Sequence, residues 1–321
     1  MVFHHPPDES VSNEGVAGAF GFDARQALPD PHACMRGRPV GGPRRPEDLH
    51  SMPPLDFALN HMTAPALNLD AFFALAVSLG ITKVEIRNDL DGNAILDGTT
   101  PAEVKALAAR HGVTIISINA LQRFNEWTPA RAAEAKELID YAAAAGARAL
   151  VLVPKNDGTG QADGERQANL AEALAALKPM LTAAGIIGLV EPLGFEICSL
   201  RSKREAAEAI EAVGGEQTFR LVHDTFHHHL AGEPDLFAAL TGLVHISGVE
   251  DADVTVPAMR DGHRVLVGPQ DRLGNISQIK ALAAAGYAGP LSFEPFSPSV
   301  HDVIDPRAAV AQSVAFIREN I

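Results

Sequence analysis

Cysteine is scarce in this chain, which has only two such residues among 321. Cys34 and Cys198 stand far apart in the sequence, unlike the closely spaced cysteines of a disulfide-stabilised secreted domain. No stretch reaches the roughly 18 unbroken apolar residues of a membrane-spanning helix, and the first residues lack the basic and apolar regions of a signal peptide. The sequence therefore predicts a cytoplasmic protein without a membrane partner.

Basic residues are also few, since 26 Lys and Arg face 40 Asp and Glu and give a net charge of −14. A broad nucleic-acid surface needs a basic stripe, and none is visible, so no nucleic-acid partner is expected. A Gly-x-Gly-x-x-Gly motif is also missing after the first predicted strand, which argues against a dinucleotide-binding fold.

The first 51 residues differ from the rest of the chain. The run PHACMRGRPVGGPRRPEDLH is rich in Pro, Gly and Arg and has no apolar period of a helix or strand. We expect either a flexible N-terminal arm over 1–51 or a true start at Met52. Residues 52–321 are then a single catalytic domain, close in length to the roughly 250 residues of a (β/α)8 barrel.

Short β-branched apolar runs alternate with alanine-rich amphipathic stretches from Leu55 onward, a pattern typical of a parallel sheet with crossover helices. Thr100, Pro101 and Glu103 form the signature of a helix start with a capping box, Thr128 and Pro129 begin another helix, and the last helix is predicted from Asp305 to Asn320. Eight strand-helix units favour an α/β fold of the (β/α)8 TIM barrel type, with an open eight-stranded sheet as the alternative. The predicted strands are 55–60, 83–87, 113–119, 149–154, 186–191, 219–224, 243–247 and 291–295.

Four successive predicted strands carry a polar residue at or near their C-terminal end, the face on which TIM barrels build active sites. These residues are Glu191, Asp224, His245 and Glu294. A single strand-end carboxylate is commonly a helix cap or a surface charge, but an apolar strand has no need of one, and four in succession point to a shared role. Three carboxylates and one imidazole predict a site for one divalent metal ion (Mn, Mg, Co or Zn), and the oxygen majority favours the harder ions.

The stretch RLVHDTFHHHLAG contains several histidines that need separate interpretation. Side chains alternate along a strand, so His223 points away from Asp224 and is expected to pack against the outer helices. His227 lies three residues beyond Asp224 and could reach back into the barrel mouth to bind a substrate oxygen. His228 and His229 are expected to contact solvent or a neighbouring loop.

The chain resembles the xylose-isomerase-like TIM barrel superfamily of sugar phosphate isomerases and epimerases, and within it most resembles the 2-keto-myo-inositol (inosose) isomerases. The resemblance rests on VEIR, INALQRFN, EPLG, LVHDTFHHHLAG, VHISGVED and GYAGPLSFEPF, and extends from about Leu55 to the end. It implies that Glu191, Asp224, His245 and Glu294 hold one metal ion, and that His227 and Arg264 contact substrate oxygens. The chain reads RVLVGPQDRLGN where the family has Pro-Gly-x-Gly after that arginine. It also lacks the additional histidines that the related three-zinc apurinic endonucleases require.

The predicted chemistry is proton transfer next to a carbonyl, through an enediolate, with Glu191 and Glu294 as catalytic acid-base groups. The substrate is expected to be a small ketose or inosose. Inosose isomerase is the leading interpretation, ketose 3-epimerase or hydroxypyruvate isomerase is the alternative, and a non-catalytic sugar-binding subunit is a third hypothesis. A homo-oligomer is compatible with each of them.

Three further residues are candidates for substrate binding. Arg87 ends the second strand and is equally expected to form an ion pair. Asn119 closes the third strand, where its amide either binds substrate or caps a loop. Lys155, in VPKNDG, either reaches the site or is a solvated loop residue.

Overall fold

The computed structural model describes residues 55–90, 92, 95 and 98–321. The predicted N-terminal arm lies outside the described residues. Eight parallel strands pair in chain order, and β8 pairs with β1 to close the barrel. The closed (β/α)8 barrel is therefore confirmed, and the open-sheet alternative is wrong. No helix of the described residues is long and apolar enough to cross a membrane.

All eight predicted strands exist, with ends that shift by a few residues. The third strand runs beyond its predicted end to Gln122, and the seventh starts two residues earlier than expected. Glu191 and Glu294 stand immediately after their strands rather than within them. The strands are β1 Phe57–Asn60, β2 Lys83–Arg87, β3 Thr114–Gln122, β4 Ala149–Val153, β5 Ile187–Val190, β6 Phe219–Asp224, β7 Thr241–Ile246 and β8 Leu291–Phe293.

The three helices whose starts were predicted from the sequence begin at the expected capping residues. The Thr100 side chain accepts from the Glu103 backbone, while the Glu103 carboxylate accepts from Thr100, so the capping box is complete. Thr128 caps the next helix and Asp305 caps the last one. The helices are α1 Leu69–Ser78, α2 Pro101–His111, α3 Pro129–Ala145, α4 Glu165–Ala184, α5 Lys203–Ala212, α6 Thr225–Ala231, α7 Asn275–Ala284, α8 Pro298–His301 and α9 Pro306–Asn320.

Strand periodicity sorts the side chains into a helix-facing core and a barrel interior. The larger apolar cluster fills the space between strands and helices, while a smaller one that includes Leu189, Val222 and Leu243 fills the lower interior. Two residues further along those strands stand Glu191, Asp224 and His245. Because side chains alternate across a strand, the residue two places beyond an interior apolar residue also faces the interior. The fold thus places these three polar residues in the barrel interior, on the C-terminal side of the smaller apolar cluster.

Candidate metal and substrate site

The four residues selected at the strand ends converge in the structure. One ligand atom from each of Glu191, Asp224, His245 and Glu294 lies within 4.8 Å of the others, and all four residues are buried. They come from four neighbouring strands, β5 to β8, because parallel strands present their C-terminal ends at one rim. This convergence makes the cluster a candidate metal site.

His245 turns one ring nitrogen towards the cluster and the other towards β2. Its Nδ1 lies 3.0 Å from Glu191 Oε1 and 3.2 Å from Glu294 Oε2. Its Nε2 lies 3.1 Å from Glu85 Oε1, so it donates its hydrogen to that carboxylate. A histidine that donates from one nitrogen presents the lone pair of the other, which is the arrangement found at metal-binding histidines.

Glu85 is a site residue that the sequence interpretation missed. It lies in the middle of β2, is completely buried, and accepts hydrogen bonds from Ser117, Ser292 and Asn119 besides His245. The available signal was a charge inside the apolar strand KVEIR, where a carboxylate needs partners if it is to be buried. Asn119, predicted to bind substrate, points its amide nitrogen at Glu85 at 2.9 Å and also lines the cavity above.

Two buried arginines donate hydrogen bonds to carboxylates of the same cluster. Arg264 Nη2 donates to Asp224 Oδ2 at 2.6 Å and to Glu294 Oε2 at 3.0 Å, while its other nitrogens bond to Ser247 and Asp261. Arg87 Nη1 lies 2.8 Å from Glu294 Oε1.

The remaining donors of Arg87 form a double hydrogen bond to Asp89. Asn60 Nδ2 is the third side-chain donor to the Glu294 carboxylate and lies 3.2 Å from Oε1. The structure therefore places Arg87 in an ion pair and gives every nitrogen of Arg264 a protein partner.

With His245 neutral, as a metal-bound imidazole must be, the buried charges do not balance without a further cation. Two buried guanidinium groups, Arg87 and Arg264, face four buried carboxylates, so with a neutral His245 two negative charges remain unmatched. Unpaired buried charges are costly, and one divalent ion would cancel both. The carboxylates are Glu85, Glu191, Asp224 and Glu294. The charge and the donor set both fit a divalent metal ion.

Burial and neighbouring charges shift the pKa values of the cluster in opposite directions. Burial raises the pKa of Glu191. Burial would also raise the pKa of Glu294, but His245, Arg264 and Arg87 outweigh it and hold the pKa well below its usual range. Burial would lower the pKa of His245, but the carboxylates, Glu294 and Glu85 foremost, raise it well above its ordinary value. The two glutamates thus stand in different electrostatic environments.

A cavity of about 320 Å³ opens above the cluster. Glu191 and Glu294 form part of its floor, and Arg87, Asn119, His227 and Arg264 line it. His227 Nδ1 is buried and has no hydrogen-bond partner among the residues that the structure describes. Of the predicted substrate contacts, His227 therefore offers a free polar atom.

Lys155 does not line this cavity. Its ammonium group pairs with Glu126.

The remaining histidines of the run lie outside this cavity. His223 contacts Lys203 and Gln278, at 2.9 Å each, on the helix-facing side of β6 as its strand position predicts. The His228 ring lies 4.6 Å from that of His223, and His229 is partly exposed. Asp224 is the residue of this stretch that reaches the metal cluster.

The model of the xylose isomerase-like TIM barrel family matches residues 73–320. A solved xylose isomerase domain protein from Salmonella typhimurium LT2 is 34% identical, with a TM-score of 0.77 over 84% of this chain and 99% of its own. The IolI protein, solved with a bound zinc atom, is 20% identical over 83% of this chain and 98% of its own, with a TM-score of 0.72.

A D-allulose 3-epimerase from Methylomonas sp., solved with D-allulose, is 19% identical over 83% of this chain and 97% of its own, with a TM-score of 0.61. At 20% and 19% identity, the likeness of the IolI protein and of the epimerase to this chain shows only a shared fold. None of the curated proteins matches the sequence significantly. On the family model and the Salmonella structure, the chain belongs to the xylose isomerase-like TIM barrel family.

Proposed function

We propose that this protein is a metal-dependent isomerase that moves a carbonyl along a polyol or cyclitol of the 2-keto-myo-inositol type. The observation that carries the proposal is the convergence of four ligand atoms within 4.8 Å, at a cavity that Glu191 and Glu294 line. The family includes sugar isomerases and epimerases, and solved relatives of this fold hold zinc or a ketose. The preference for an inosose rests on the sequence motifs.

Glu191, Asp224, His245 and Glu294 would hold the metal ion, and Glu85 would orient the imidazole. A divalent ion bound there supplies a Lewis acid that polarises the substrate carbonyl and stabilises the negative charge of an enediolate. Asp224 Oδ1 accepts from the backbone nitrogens of Phe226 and His227, which fixes the carboxylate and leaves Oδ2 turned to the cluster.

Glu191 and Glu294 are the proposed acid-base groups, with different tasks. Among the described residues the only polar side chain within hydrogen-bonding distance of Glu191 is His245, whose Nδ1 lies 3.0 Å from Oε1, so the second oxygen of Glu191 is free to take the carbon-bound proton. Returning that proton to the neighbouring carbon completes a carbonyl shift. Glu294 accepts from Arg87, Arg264 and Asn60, which hold it in place beside the substrate oxygens, where it moves the hydroxyl proton.

His227 is the proposed substrate-binding residue of the cavity wall, because its Nδ1 is buried and unpaired. Burying such an atom costs free energy, which a substrate hydroxyl would recover by hydrogen bonding. Arg264 and Arg87 act on the substrate mainly through the carboxylates that they hold.

The test is proton NMR of 2-keto-myo-inositol in D₂O with Mg²⁺- or Zn²⁺-loaded protein, alongside a metal-free control. Metal-dependent deuterium incorporation with formation of a second inosose is the expected result. Exchange of an open-chain ketose with inversion at carbon 3, and none of the inosose, would replace the isomerase by a ketose 3-epimerase. Absence of exchange with every substrate would favour the sugar-binding subunit and refute the proposal.

A further inference from the structure

A second cavity of about 270 Å³ adjoins the one above the metal cluster. The two share Asn156, Phe195 and Asp261 as lining residues. We call it the side chamber, and its remaining walls come from the loop after β5, from α6 and from residues 256–260. The metal-side cavity alone is near the lower end of the roughly 300–1,000 Å³ of small-molecule sites, and the two together reach well into that range.

Five of the eleven residues that line the side chamber are apolar, and charged residues lie beside them. The apolar ones are Phe195, Ile197, Leu230, Val256 and Pro257, and the charged ones are Glu196, Arg201, Arg260 and Asp261. Ile197 is 51% exposed and Val256 is 37% exposed. Exposed apolar surface gathered around a cavity is characteristic of a ligand-binding groove.

Unpaired polar atoms mark the passage between the two cavities. Asn156 Oδ1 is buried and lacks a hydrogen-bond partner within the described part of the chain, as does His227 Nδ1. Phe195 separates the two spaces, with the His227 ring 5.1 Å away and the Arg260 guanidinium carbon 5.9 Å from its ring centre. A ligand hydroxyl at this passage would satisfy Asn156, and a flat ring beyond it would pack beside Arg260, whose guanidinium attracts aromatic faces.

We infer that the substrate carries an O-linked flat apolar ring, such as an aryl group, which occupies the side chamber while the polyol or cyclitol part lies over the metal cluster. This inference rests on the proposed function and refines its substrate. Phe195, Ile197 and Val256 contact the apolar ring, and Asn156 accepts from a hydroxyl next to the linking oxygen. The side chamber then selects among substrates that present the same oxygens to the metal site.

The experiment compares the binding of phenyl β-D-glucopyranoside and methyl β-D-glucopyranoside to the Mg²⁺-loaded full chain by titration calorimetry. We expect the phenyl glycoside to bind at least about tenfold more tightly, because burying the ring removes apolar surface from water. Val256→Trp fills the chamber and Ile197→Asp makes it polar, so each should bring the ratio below about twofold. Val77→Trp changes another exposed valine, on α1, and should leave the ratio unchanged.

A wild-type ratio below about twofold, or a ratio that survives both chamber variants, would overturn the inference. So would a change of oligomeric state in Val256→Trp on analytical ultracentrifugation, because a second copy of the chain would then cover the chamber. The NMR exchange assay keeps the two proposals apart. Exchange without a glycoside preference refutes the side chamber alone, whereas a preference without exchange refutes the isomerase alone.

Discussion

Replacing Glu85 by Gln tests whether the metal site depends on a residue that does not belong to the ligand set. Both Glu85 oxygens lie close to His245 Nε2, at 3.1 and 3.2 Å, and both also accept from serine hydroxyls. A glutamine offers one acceptor instead of two and removes one of the two unmatched negative charges. Loss of such a supporting group typically weakens metal binding by about 10- to 100-fold, which corresponds to about 1.4–2.7 kcal/mol.

The assay is competition for Zn²⁺ with a fluorescent chelator, supported by thermal unfolding with and without metal. At a free metal concentration 100 times the dissociation constant, binding stabilises the wild-type fold by about 2.7 kcal/mol, and much of this should vanish in Glu85→Gln. Glu205→Gln removes a carboxylate that pairs with Arg166 on α4 and is the matched control. Affinity within about twofold of wild type in a folded Glu85→Gln protein would refute the idea that Glu85 orients His245.

Three further predictions concern turnover, packing and pH. Glu294→Gln should lower turnover by at least about 10²-fold in steady-state assays while circular dichroism stays unchanged, and near-normal turnover of the metal-loaded variant would refute its catalytic role. Gly194→Ala places a methyl group 2.3 Å from the His227 carbonyl oxygen and should cost about 1–3 kcal/mol in urea unfolding, whereas Gly262→Ala meets nothing and serves as the control. Equal midpoints for the two alanine variants would contradict this packing. Burial lowers the pKa of Lys203 to about 8 from the ordinary value of 10.5, so the unfolded chain binds more protons between these values. Wild type should therefore gain up to about 3 kcal/mol of stability relative to Lys203→Met as the pH rises from 8 to 10.5, and a pH-independent difference would show that the amine is not buried.

The strand pattern was enough to predict the closed barrel and to select the four residues that converge at its mouth. Apolar runs of four to six residues with alternating helices leave few topologies, and a charge at the end of such a run stands out because nothing in the strand requires it. Asp224 and His223 illustrate the strength of this reasoning, since the two-residue period alone assigned them to opposite faces of β6.

The residues that hydrogen-bond the candidate ligands could not be predicted from the strand pattern. Glu294 is held by Arg87 and Arg264, which lie 207 and 30 residues away in the chain, and no local pattern reports such pairs. Glu85 escaped notice because both faces of a barrel strand are buried, so the sequence does not tell which one faces the interior. Long-range electrostatic partners become visible only when the fold brings them together.

The four candidate metal ligands all come from β5 to β8, whereas the loops after β2, β3 and β4 supply the opposite cavity wall with Asp89, Arg123 and Asn156. The half of the barrel that carries the candidate ligands is thus separate from the loops that shape the space facing it. Randomising those loops in a combinatorial library would vary the substrate while leaving every metal ligand in place. For an engineer, this barrel is a scaffold in which selectivity can be evolved without rebuilding the proposed metal site.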